Sequence, residues 1–241
     1  LAYGQTGTGK TTTVMGRAQP VAEQGLLLRL LRDAFDGAGA SRDGAAFRFK
    51  VQMMEIFNEK VRDLLAPVDS SRSAMPPEVH VHPMLGVYVT GVTDEVVEDF
   101  ESCLRLVEYG NTMKSVAETA MNRRSSRAHT ILRLSFERRS GKDGTIATSS
   151  AFVADLAGHE NEKKVMAKDG IARERLVELS FINRSLLWLA SCIHQLSNAS
   201  RDENGTSSSR RLAVTAPGCL SRFRNSKLTL LLSSALSGNT R

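Results

Sequence analysis

Apolar positions recur along the chain with two different periods, and the alternation between them predicts an α/β layering. Phe47, Phe49, Val51 and Met53 alternate with Arg48, Lys50 and Gln52, the period of a half-buried strand. Leu132, Leu134 and Phe136 alternate with Arg133 and Ser135 in the same way. Ser140-Gly141-Lys142-Asp143-Gly144 then turns the chain, and a second run through Phe152 and Val153 to Asp155 completes a predicted hairpin. Val87 and Val89 predict one more short strand. Helical spacing governs elsewhere. Leu27, Leu30, Leu31, Ala34 and Phe35 follow Gly25 and stop at Gly37, and Phe100, Cys103, Leu104 and Val107 form a helical face with Gly110 as its expected C-terminal cap. Leu179, Ile182, Leu186, Leu189, Ile193 and Leu196 step by three or four, the most regular helix in the sequence. A last short helix is predicted from Ser226 to Leu236, stopped by Gly238. Residues 1–3 read as the end of a buried strand entering a glycine-rich turn, after which Lys10–Val14 begins a helix. Val68–Pro77 reads as a loop, and so does Ser197–Ser221, a Ser/Arg-rich insert with too few apolar residues to order itself.

Composition narrows the class. The 241 residues are 41% hydrophobic and 24% charged, enough to bury a sizeable core, which excludes a disordered chain and a disulfide-stapled miniprotein. The net charge of +6 is uneven: residues 201–241 hold seven basic side chains against two acids, so an acidic partner is expected near that end. Cys103, Cys192 and Cys219 are odd in number and far apart, which gives neither a zinc spacing nor a disulfide framework and points to a reducing compartment. The uncharged run Leu186–Ile193 falls well short of the about 20 residues a membrane span needs, so no span is expected. His80, His82 and His194 are scattered, His129 is expected to pack rather than catalyse, and Trp188 suits either core or interface.

Gly4-Gln5-Thr6-Gly7-Thr8-Gly9-Lys10-Thr11 fits the phosphate-loop pattern G-x-x-x-x-G-K-[ST] in full. Glycines let successive backbone N–H groups turn towards a polyphosphate, and the start of a helix adds partial positive charge. Lys10 would reach the terminal phosphates and the Thr11 hydroxyl would ligate Mg²⁺. Such a site also needs a carboxylate at a strand end. Asp155-Leu156-Ala157-Gly158 provides one, with Gly158 free to approach a γ-phosphate. No N-K-x-D guanine-reading motif is present, which weakens a small-GTPase reading.

Asn122-Arg123-Arg124-Ser125-Ser126-Arg127-Ala128-His129, taken with the phosphate loop and Asp155-Leu156-Ala157-Gly158-His159-Glu160, resembles the kinesin motor domain, whose GQTGxGKT, NxxSSRSH and DLAGSE motifs come in this order. Further similarity lies in Glu55–Leu65, Gly86–Val89, Ile182–Leu186 and Ser226–Thr229 with Gly238-Asn239, so it covers nearly the whole chain. The resemblance implies a P-loop NTPase with a mixed central β-sheet flanked by helices on both faces. It also implies that residues 1–241 are a partial motor domain, a fragment without the N-terminal strands or the C-terminal strand, helix and neck. It implies ATP and Mg²⁺ as cofactors, the loop from Gly4 to Thr12 around the nucleotide, and Thr11, Ser126 and Asp155 around the metal. Ser125 and Glu160 would act on the attacking water, Gly158 would sense the γ-phosphate, and an Arg127–Glu160 ion pair would close the site.

The partner the resemblance implies is the microtubule (tubulin), with no nucleic acid and no membrane span, contacted by Lys164, Asn183, Arg184, Arg224 and Lys227. The phosphate signal would pass through 163–175 to the helix bearing Leu179–Leu196. A homodimer formed through regions outside this sequence and a cytoplasmic, cytoskeletal location are implied too. His159, Ala128, Thr12, Asn161, Ser180 and Leu230 depart from the family pattern. Of these, His159 and Ala128 open a second expectation: a slowly hydrolysing or non-hydrolysing microtubule-binding scaffold.

Overall fold

A computed structural model describes residues 1–17, 19–40, 44–67, 75–82, 86–120, 127–141, 143–159, 173–199 and 220–237. The chain divides into two compact units: Leu1–Glu55 with Arg62–Ala74 and Val92–Gly158, and Ile56–Val61 with Met75–Gly91 and His159–Arg241.

The first unit is built on a sheet whose strands are β1 (Ala46–Phe57), β2 (Lys60–Asp63), β5 (Glu95–Val97), β6 (His129–Arg139) and β7 (Ile146–Asp155). Their order is β2-β1-β6-β7, with β5 antiparallel to β1. The predicted hairpin is present as the antiparallel β6–β7 pair, and a single parallel rung from Ala2 to Asp155 makes the sheet mixed. It is accompanied by α1 (Lys10–Val14), α2 (Leu26–Gly39) and α3 (Phe100–Ala120). The alternation read in β1 is real, since Phe49, Val51 and Met53 are buried. They join Leu27, Leu28 and Leu31 of α2, Cys103 and Val107 of α3, and Leu132 and Leu134 of β6 in one core. Phe35, Phe49 and Phe136 stack through it at ring separations of 4.3 and 6.0 Å, distances at which aromatic pairs attract.

Several expectations need correction. Leu1 and Tyr3 are 57% and 60% exposed, because only Ala2 pairs with β7, so the opening residues are not a buried strand. Helix α2 runs past Gly37 to Gly39, and its Leu30 is exposed while Leu28 is buried. Gly110 does not cap α3. It lies inside the helix, where a Cβ would collide with Met53 Sδ, so the glycine allows α3 to approach β1 closely. Between α1 and α2 the chain forms a closed loop: Gly16 bridges Gln24, Gly25 N–H donates to the Met15 carbonyl, and Arg29 donates to the Gln24 and Ala22 carbonyls.

The second unit contains the β3 (Glu78–His82) and β4 (Gly86–Thr90) hairpin, α4 (Arg173–Ala199) and α5 (Lys227–Leu236). β4 covers the strand expected at Val87 and Val89; β3 was not foreseen. On α4, Leu179, Ile182, Leu186 and Leu189 are buried as predicted. The stripe then passes through Cys192, leaving Ile193 45% exposed, because the 3.6-residue period has drifted by one position and Cys192 Sγ faces the Arg222 carbonyl. Ser197–Ala199 still belong to α4, and a 3₁₀ turn spans Leu220–Phe223, so the ends of the expected Ser197–Ser221 loop are helical; 200–219 lie outside the described residues. Helix α5 starts at Lys227, with Ser226 Oγ accepting from Thr229 N–H as its cap and Glu59 Oε2 accepting from Lys227 N–H at 2.7 Å. By length and mean hydropathy alone, Leu176–Asn198 would be long and apolar enough to cross a membrane. Its buried stripe within this unit is also what a core helix shows.

Candidate functional site

The parallel rung at Ala2 decides where the site forms. Ala2 N–H donates to the Ala154 carbonyl at 3.0 Å and Leu156 N–H to the Ala2 carbonyl at 3.2 Å, so loop 4–9 and the chain beyond β7 leave the sheet side by side. Carboxyl ends of adjacent parallel strands are where open α/β sheets bind ligands. The result is a cleft of about 580 Å³, within the range of small-molecule sites.

One wall of the cleft is the phosphate loop. Gly7 and Gly9 have φ of 83° and 86°, left-handed conformations that glycine adopts without a Cβ clash. The Thr8 hydroxyl donates to the Gln5 carbonyl at 2.9 Å, and Lys10 Nζ donates to the carbonyls of Gly4 (3.0 Å) and Gln5 (2.8 Å). Thr6, Gly7, Gly9, Lys10, Thr11 and Thr12 line the cleft. Helix α1 has only five residues, so its dipole is small and the positive character here comes from Lys10 and the turned N–H groups.

The opposite wall brings in Asp155, 4% exposed, from the end of β7. Its Oδ2 accepts from the Thr11 hydroxyl at 2.7 Å, joining two expected metal-shell residues that are 144 positions apart. Lys114 Nζ on α3 lies 3.8 Å from the same oxygen, with its side chain only 11% exposed. Asp155 Oδ1 is buried and has no hydrogen-bond partner among the described residues. A buried carboxylate with one oxygen still without a hydrogen-bond partner, next to a hydroxyl, is a donor set suited to a hard divalent cation, so Thr11 and Asp155 fit Mg²⁺. The loop beside them fits the polyphosphate it would accompany.

Gly158 is buried against the loop: a Cβ there would run into the Thr6 hydroxyl and lie 2.9 Å from Thr6 N. His129 is 3% exposed, its Nδ1 accepts from Ala157 N–H at 3.1 Å, and burial pulls its pKa down to about 4. It packs beneath the β7 exit, as expected of it. Arg127 is half-buried at the start of the segment leading into β6. Ser125, Ser126, Glu160 and Lys164 lie outside the described residues, and with them the Arg127–Glu160 pair.

The sequence reading missed the α3 wall. Asn111, Lys114 and Ser115 line the cleft, and they were overlooked because the helix was expected to stop at Gly110. The signal was available: spacings of three and four place those residues on one face of a helix that continues.

The second unit carries the other expected set. Arg184 on α4 is exposed, its guanidinium 5.5 Å from the Phe181 ring, and Asn183 is half-buried. Arg224 is exposed and Lys227 half-buried at the start of α5, which packs against α4. Leu230 is partly buried against Cys192 and Phe223, a packing reason for a leucine at that position.

A family model described as the kinesin motor domain matches residues 1–241. Kinesin-like protein KIN-7N of Arabidopsis thaliana is 38% identical over 245 residues, covering 100% of this chain and 26% of the relative. Kinesin-related protein 5 of Dictyostelium discoideum is 36% identical, covering 100% of this chain and 22% of the relative. The chain thus spans about a quarter of the length of these curated relatives. Among solved structures, the motor domain of the kinesin-like protein Kar3 of Saccharomyces cerevisiae aligns with a TM-score of 0.73 at 29% identity, covering 99% of this chain and 64% of that one. A structure described as a fast kinesin aligns at 0.77, with 29% identity and 98% and 59% coverage.

Proposed function

The chain belongs to the kinesin motor-domain family, and from that premise we propose that it is the ATP-hydrolysing core of a microtubule-based motor. The observation that carries the reading is the Thr11–Asp155 contact at 2.7 Å in a cleft that also holds Lys10. When bound, Mg²⁺ and ATP supply a charge-screened γ-phosphoryl group open to in-line attack by water. Lys10 would exchange its two backbone acceptors for phosphate oxygens. Thr11 and Asp155 would hold the cation, with Ser126 completing that set. Ser125 and Glu160 would orient the water, and an Arg127–Glu160 ion pair would exclude bulk solvent. Gly158, in contact distance of Thr6, couples the chain beyond β7 to occupancy of the loop.

In this reading the second unit meets the acidic tubulin surface through Lys164, Asn183, Arg184, Arg224 and Lys227. In the same reading the motor works on cytoplasmic microtubules as a homodimer. The test is a microtubule-stimulated ATPase assay of the full-length protein beside Lys10→Ala. Stimulated turnover that the substitution removes is the expected result. Microtubule co-sedimentation without turnover would instead favour the scaffold reading, for which Thr12, a short side chain lining the cleft, is the supporting observation.

A further inference from the structure

Thr130 is the direct partner of Asp155 in the β6–β7 register. Cross-strand partners point to the same face of a sheet. Thr130 therefore shares the side on which Leu132, Leu134 and Val153 meet the core. It is 1% exposed, and its hydroxyl is buried with no hydrogen-bond partner among the described residues, as is Asp155 Oδ1. Each of these polar atoms alone is a destabilising feature, yet the two are complementary, one a donor and the other an anionic acceptor. Neither Thr11 nor Lys114 serves that oxygen, since both act on Oδ2. Valine would suit the strand as well as threonine, so the hydroxyl needs a reason of its own.

We infer that Thr130 is a positioning residue for Asp155: its hydroxyl donates to Oδ1 through one water that bridges the about 5 Å between cross-strand partners. That donation fixes the carboxylate's rotation and so selects the lone pair offered to a divalent cation. The inference rests on the nucleotide reading above and names a residue that the motifs do not include.

The experiment measures retention of a fluorescent ADP analogue by the full chain against free Mg²⁺, in the natural protein and in Thr130→Val, Thr130→Ala and Thr130→Ser. Melting of the same proteins in EDTA is a second readout. Thr130→Val and Thr130→Ala should raise the Mg²⁺ midpoint by about tenfold, the scale of one hydrogen bond to a charged group. Affinity for the analogue in EDTA should stay the same, and Thr130→Ser should restore the midpoint. A Thr130→Val protein with the natural midpoint, or one that melts higher, overturns the inference, because losing a truly unmet hydroxyl stabilises. If the natural protein shows no Mg²⁺-dependent retention, the nucleotide reading falls and this one falls with it. A responsive natural protein beside an equally responsive Thr130→Val removes the inference alone.

Discussion

Asp155 and Arg184 carry opposite charges in opposite settings. The carboxylate is 4% exposed and met by Thr11 and Lys114, whereas the guanidinium stands in solvent near the Phe181 ring. Charge interactions strengthen as water is excluded and weaken where it screens them. A single group in the cleft should therefore matter greatly, and a single group on the α4 face only as one of several. Lys10→Ala gives the most severe test of that contrast. It removes the ammonium held at Gly4 and Gln5 and should lower ATP turnover by about 10³-fold, the scale of losing one preorganised donor. Steady-state kinetics with and without microtubules would check it. A loss below tenfold would mean that the cleft behaves like the surface.

Burial in the first unit also predicts a pH effect on stability. His129 has its pKa lowered from 6.5 to about 4, and its Nδ1 already accepts the Ala157 N–H, a bond that protonation breaks. Between those two values the unfolded chain binds a proton that the folded chain refuses. The His129 contribution is thus complete above about pH 6.5, declines as pH falls, and is lost by about pH 4, a total of about 3 kcal/mol. Urea unfolding at several pH values should give that slope, and His129→Asn should flatten it. Equal slopes in the two proteins would disprove the assignment.

These two sites differ in how far the sequence disclosed them. Phosphate-loop residues are contiguous, so Gly4–Thr11 could be read directly, and Asp155 followed from the end of an apolar strand. Long-period features were equally plain: the β6–β7 hairpin and the Leu179–Leu189 stripe stand where the spacing put them. Lys114 and Thr130 were not legible, because each gains its meaning only when α3 and β6 come to lie beside Asp155. Gly110 misled for a related reason. Local chemistry made it a helix stop, whereas tertiary packing against Met53 made it a spacer. Gly110→Ala separates those readings. Helix propensity alone would favour alanine by about 1 kcal/mol. The collision with Met53 should reverse the sign and destabilise by about 1–3 kcal/mol, measured by denaturant unfolding, with Met53→Val relieving part of it.

The smallest effects belong to the exposed face. Arg184→Ala and Arg224→Ala should each weaken microtubule affinity by about two- to fivefold at low salt, the range of exposed ion pairs, and leave nucleotide affinity without microtubules unchanged. Because the Debye length is about 10 Å at 0.1 M salt, the difference from the natural protein should shrink as salt is added. The double substitution should lose close to the product of the two, since separated surface charges act nearly independently. Co-sedimentation across a salt series measures all three quantities. A loss that persists at high salt would mean that Arg184 is held in a desolvated contact. A changed nucleotide affinity without microtubules would mean that the cationic face and the cleft are coupled before any track is bound, and the contrast between Asp155 and Arg184 would then be one of degree.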